Sequence, residues 1–156
     1  MQLNVSTCYA MQVMLYLARN KKIVPSTELA TTLKISQRYI LQIVGRLRDE
    51  GYLATRPGAS GGISLGKNAA EISAYDVITL MEGDMSIPEC ITPLSGYGEP
   101  CMNSNLHETF SVMKDYIDTY FKIITFDKLE DMKISRHLSA ILGLVTAHID
   151  EMRDKV

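Results

Sequence analysis

Apolar residues at helical spacing open this chain. Ser6 to Asn20 puts Ala10, Val13, Met14 and Leu17 on one face, and a second apolar set, Tyr9, Leu15 and Tyr16, leaves little polar surface. This helix is therefore expected to be covered on two sides. Ser26 to Leu33 forms a shorter helix with Leu29, Ala30 and Leu33 inward. Only Lys34 and Ile35 separate it from a third, in which Ile40, Ile43, Val44 and Leu47 fall at i, i+3, i+4 and i+7. Ser36 is a good N-cap for that segment and Gly51 a good stop. So short a connection forces a sharp helix-turn-helix crossing. On the opposite face Arg38, Gln42 and Arg46 recur every fourth residue, an exposed donor-rich stripe of the kind a groove-reading helix needs.

The periodicity then changes. Tyr52 to Arg56 and Ile63 to Leu65 are short extended runs joined by Pro57-Gly58-Ala59-Ser60-Gly61-Gly62, which reads as a β-hairpin. A hairpin directly after a helix-turn-helix is a wing, and a tip without bulky side chains lets main-chain N–H groups approach a phosphate. Gly66-Lys67-Asn68 closes this unit. Ser73 and Asp76 resemble a capping box that starts a helix running to Glu82, with Gly83 as its end.

Asp84 to Asn103 has no periodicity and holds three of the five prolines and two of the three cysteines; loops this long are usually functional or disordered. Helical order resumes at Asn105, with Glu108 placed for a reciprocal cap. Leu106, Phe110, Met113, Ile117, Tyr120 and Ile124 form a heptad-like seam that asks for a partner helix, and a second subunit is the economical supplier. Ser135 to Arg153 repeats the habit with Leu138, Ile141, Val145, Ile149 and Met152. The expected fold is mainly α, a winged helix-turn-helix with a two-stranded wing and a long C-terminal dimerisation helix. Residues 1–83 would be the DNA-binding domain, 84–104 a sensory loop, and 105–156 the dimerisation helix with a C-terminal helical extension.

Charge sharpens this picture only once the chain is divided. The net charge is −2, yet residues 1–67 carry nine Lys/Arg against three Asp/Glu, and residues 68–156 carry seven against fifteen. A basic lobe on an acidic remainder suits a polyanion. No apolar run reaches the roughly 18 residues of a membrane span, and the amino terminus lacks a basic stretch followed by an uninterrupted apolar one, so a cytoplasmic protein is expected. No Gly-rich phosphate loop, carboxylate pair or Ser/His/Asp spacing stands out, so an enzyme is not expected. A protein-interaction winged helix is the alternative, and the basic half disfavours it.

For DNA, Arg38 and Gln42 are the candidates for base edges, with Ser36 capping their helix and Gln37 and Tyr39 near phosphate at its amino terminus. Arg46, Arg48, Arg56 and Lys67 are candidates for backbone or minor-groove contacts. Ser60, Gly61 and Gly62 are candidates for close main-chain approach.

These residues resemble the IscR/NsrR/CymR family of bacterial winged-helix regulators, often called Rrf-two. The similar stretches are Met1 to Ala18, Ile35-Ser36 with Tyr39-Ile40, Leu47-Arg48 and Gly51-Tyr52-Leu53, the wing from Arg56 to Leu65, and Ile72-Ser73, Asp76-Val77 and Glu82-Gly83. They cover nearly all of residues 1–83, and the wing with its Gly-Gly is the most specific. The resemblance implies a homodimeric transcription regulator, usually a repressor, on a palindromic double-stranded DNA operator, with the helix beginning at Ser36 in the major groove. It also implies a sensory loop, which in several members binds an iron–sulfur cluster through three closely spaced cysteines.

Here the loop holds only Cys90 and Cys101, ten residues lying between them, with Ser95 and Gly96 near where the middle cysteine would be. Cys8 occupies the first-helix position from which certain relatives supply a cross-subunit ligand. The cluster reading, [2Fe–2S] by type, therefore uses Cys90 and Cys101 of one subunit and Cys8 of the other, with His107 as fourth ligand. A second reading is a thiol switch in which Cys90 and Cys101 close a small disulfide. A third treats all three cysteines as small buried hydrophobes.

Overall fold

Local capping decides where the helices begin in the computed structural model, which describes residues 3–58, 60–83 and 105–131. Its elements are α1 (Val5–Asn20), α2 (Ser26–Leu33), α3 (Gln37–Asp49), β1 (Leu53–Arg56), β2 (Gly62–Leu65), a 3-10 turn at Ala69–Glu71, α4 (Ala74–Glu82), α5 (Asn105–Ile123) and α6 (Phe126–Asp131). The expected loop at 84–104, with Cys90 and Cys101, and the expected helix from Ser135 to Arg153 lie outside the described residues. α1 starts one residue before Ser6 because Asn4 is its cap, its Oδ1 accepting the Thr7 N–H at 2.9 Å.

The helix ends follow two chemistries. Gly51 (φ 75°) takes the left-handed conformation just past α3, as its lack of a side chain allows. Lys21 (φ 51°) and Lys34 (φ 56°) do the same after α1 and α2 without being glycines. At Lys34 this sharp reversal aims Ile35 inward, where it is buried and its N–H donates to the Ala30 carbonyl at 3.1 Å. The two-residue turn of the helix-turn-helix is thus pinned by one apolar side chain.

Ile40, Ile43, Val44 and Leu47 of α3 are buried against Ala10, Val13, Met14 and Leu17 of α1 and Leu29 of α2, as their spacing predicts. The hairpin is antiparallel, pairing Leu53 with Leu65 and Arg56 with Gly62. Val24, in the α1–α2 connection, adds a bridge to it by exchanging both hydrogen bonds with Ile63 at 2.8 Å. A single residue gives no periodicity, so the sequence offered no sign of this third chain segment beside the wing.

α4 carries the predicted box. Ser73 Oγ accepts the Asp76 N–H at 3.2 Å and the Asp76 carboxylate accepts the Ser73 N–H at 2.8 Å, satisfying two amide groups that a helix start otherwise leaves unpaired. After α5 the chain returns to the amino-terminal half. Ala74 N–H donates to the Ile124 carbonyl at 2.7 Å, Phe126 N–H donates to the Ile72 carbonyl at 3.1 Å, and the Phe126 ring is fully buried in the core that α1, α3 and α4 share.

The seam along α5 is not a single face. Ile124 is buried at the start of this return, whereas Met113 is 43% exposed, together with Val112, Tyr116 and Ile123. Of the seam residues Met113 alone is exposed among the described ones, Phe110, Ile117 and Tyr120 are half-buried, and Val112, Tyr116 and Ile123 stand outward beside that line. Among the described residues no helix is long and apolar enough to cross a membrane.

Candidate nucleic-acid interface

α3 is held at both ends by other elements, which fixes the face it presents. At its start Ser36 caps the helix, its Oγ accepting the Tyr39 N–H at 3.4 Å. Gln37 Nε2 donates to Ser26 Oγ at 2.9 Å, joining the amino termini of α2 and α3. The Tyr39 hydroxyl is 2.6 Å from Ser6 Oγ on α1, and its ring meets Tyr9 edge-on at 5.8 Å. Tyr39 is thus half-buried in the α1–α3 contact rather than standing free at the helix tip.

Arg46 is exposed and also has partners inside the fold. Its guanidinium donates to the carbonyl oxygens of Leu80 at 2.5 Å and Met81 at 3.4 Å, acceptors that the last turn of α4 cannot pair internally. Arg38 and Gln42 remain exposed on the outward face, with Leu41 between them 51% exposed. Gly45 follows one turn on, and a Cβ there would meet no heavy atom within 4 Å. Leu41 and Gly45 were absent from the sequence-derived candidates although the same spacing that picked out Arg38 and Gln42 places them on this face.

The remaining cations separate. Arg48 is exposed and pairs with neighbouring Asp49 at 2.8 Å. Arg56 and Ser60 are exposed at the loop end of the wing. Lys67 lies beyond Leu65 at the other end of the hairpin, with its ammonium 4.9 Å from the centre of the Tyr52 ring. Ser36, Gln37, Arg38 and Gln42 thus share the α3 surface, Arg56 and Ser60 share the wing tip, and Lys67 belongs to neither. Gly61 and Gly62 have a reason inside the fold: a Cβ on Gly61 would fall 2.1 Å from the Arg56 carbonyl oxygen, and one on Gly62 2.6 Å from that of Val24.

Below the interface, the Glu82 carboxylate accepts the Asn4 N–H at 2.7 Å, the Asn4 side-chain amide at 2.8 Å and the Thr7 hydroxyl. The Thr7 hydrogen bond foremost, with those of Asn4, holds the Glu82 carboxyl below the usual carboxylate range. Cys8 follows Thr7 directly and is exposed. The reading that buries it as a small hydrophobe is therefore corrected: its position faces out from α1. The side chain of His107, in the first turn of α5, lies outside the described residues, and among the described residues no three His, Cys, Asp or Glu side chains gather into a metal site.

Comparison with known proteins follows the same lines. A family model described as "Rrf2: Iron-dependent Transcriptional regulator" matches residues 3–132. The chain is 40% identical over 143 residues to YffB of Lactococcus lactis, named as an HTH-type transcriptional regulator, across 90% of this chain and 92% of that protein. It is 31% identical over 136 residues to the HTH-type transcriptional regulator IscR of Pectobacterium atrosepticum, covering 85% and 81%. The crystal structure of the oxidized form of Staphylococcus aureus CymR superposes with a TM-score of 0.67 at 27% identity, covering 85% of this chain and 98% of that one.

Proposed function

This chain belongs to the Rrf2 family of transcriptional regulators, and from that premise we propose that it binds a palindromic DNA operator as a homodimer, as a repressor, with α3 in the major groove and the wing alongside. The observation that carries this reading is the division of α3. Its aliphatic residues are all inward except Leu41, while Arg38 and Gln42 stand outward without an internal role. Arg56 and Ser60 at the wing tip, with Arg48, supply phosphate or minor-groove contacts. Gln37 acts through the α2–α3 junction it braces, and Arg46 through α4. The exposed apolar side chains Val112, Met113 and Ile123 on α5 are where the second subunit packs. Titrating a labelled genomic duplex at increasing salt tests the DNA reading: affinity falls about a thousandfold between 50 and 200 mM if six or more phosphates are neutralised. Salt-independent binding to a protein partner instead would replace it.

Operator binding is further proposed to follow the state of the Cys90–Cys101 segment. Exposure of Cys8 on α1 supports its use as a ligand reached from a partner's loop, and the likeness to IscR supports an iron–sulfur cluster. Cys8, Cys90, Cys101 and His107 would hold it, three thiolates and one imidazole forming a reasonable set for [2Fe–2S]. The likeness to CymR, known in an oxidized form, favours the thiol switch as second reading. Anaerobic purification separates the two: visible absorbance with bound iron supports the cluster. A colourless product that loses two hydrogens per chain under mild peroxide supports the disulfide.

A further inference from the structure

We propose that Leu41 reads the C5 methyl group of a thymine, a contact that rests on α3 lying in the major groove. Among the described residues of α2 and α3, Leu41 is the one large apolar side chain left exposed, at 51%. Residues 38, 41, 42 and 45 fall at i, i+3, i+4 and i+7, so Arg38, Leu41, Gln42 and Gly45 occupy one face of α3. That face offers a cation, an aliphatic group, an amide and then bare backbone, since nothing lies within 4 Å of a Cβ at Gly45. The bare turn lets a duplex approach closely where a side chain would hold it off.

The chemistry of the groove matches this order. Guanine offers O6 and N7 to an arginine, adenine offers N6 and N7 to a glutamine, and the thymine methyl is the apolar feature on the major-groove edge. A protein partner is disfavoured because Leu41 is flanked by donors in a lobe carrying nine Lys/Arg against three Asp/Glu. Leu41 beside Gln42 suits a step in which a thymine neighbours the base that Gln42 contacts.

Deoxyuridine in place of thymine removes that methyl and nothing else, which makes the test clean. The wild-type protein selects its preferred duplex from a random pool, and each thymine of that duplex is then replaced in turn. At one thymine in each half-site, affinity falls about fourfold on loss of the methyl. Leu41→Ala binds the thymine and uracil forms of that position equally, and Leu41→Met keeps the difference. No thymine at which the wild type discriminates, or an undiminished ratio in Leu41→Ala, overturns the contact while leaving DNA binding intact. A wild type that enriches no duplex overturns the major-groove reading beneath it as well.

Discussion

Arg46 of α3 donates its guanidinium to the Leu80 carbonyl oxygen at 2.5 Å, so α3 is fastened to the last turn of α4. A cation at a helix carboxy terminus meets both unpaired carbonyls and the negative end of the helix dipole. Because the pair is exposed, Arg46→Ala is expected to cost only about 1 kcal/mol of stability. Its DNA affinity falls without a change in salt slope, whereas loss of a direct phosphate contact lowers that slope by about one. Denaturant unfolding and salt-dependent titration of the same variant tell the two apart.

Glu82, one residue past Met81, makes the same junction sensitive to acid. Its folded carboxyl is held below the usual range by Thr7 and Asn4, so its contribution to stability is present above the unfolded value of about 4.3 and is lost as pH falls through the folded value. Glu82→Gln should melt lower than wild type at pH 7, and the difference should shrink on acidification below about pH 4. Melting curves that run parallel at every pH would refute the linkage.

Arg38 and Arg56 are expected to fail differently. Arg38→Ala costs about 1–3 kcal/mol on the preferred duplex and relaxes sequence preference, whereas Arg56→Ala weakens preferred and random duplexes alike. Competition titrations with both duplexes read this directly, and equal losses for both variants would remove Arg38 from the base-reading set.

Gly62 of β2 and Gly45 of α3 should respond in opposite ways to the same substitution. Gly62→Ala drives a methyl to within 2.6 Å of the Val24 carbonyl oxygen and is expected to cost about 1–3 kcal/mol as the bridge to the wing shifts. Gly45→Ala meets no atom of the protein and gains helix propensity, up to about 1 kcal/mol. Thermal unfolding checks the signs. A more stable Gly45→Ala that binds DNA less well marks that turn as lying against the duplex.

Met113→Glu tests the subunit contact. The side chain is 43% exposed in the single chain, so the charge is tolerated there, but covering it with a second copy strips it of water. Sedimentation should find wild-type dimers and variant monomers with unchanged helix content. A dimer that survives the charge would move the interface elsewhere.

Caps and periodicity are local properties, written within a few residues of each other. Ser36, the Ser73–Asp76 box, the buried set Ile40, Ile43, Val44 and Leu47, and the glycine-rich turn could therefore be read directly from the chain, and with them the winged helix. The outward positions of Arg38 and Gln42 followed from the same helical spacing. What a side chain does at long range is not local. Spacing put Arg46 on the same stripe as Arg38, but the α4 carboxy terminus, 34 residues away, supplies its guanidinium with carbonyl partners while it stays exposed. Val24 joining the wing, Phe126 closing the core and Ile124 leaving the α5 seam are likewise meetings of distant segments. Only folding decides them, because each depends on which surface happens to arrive opposite.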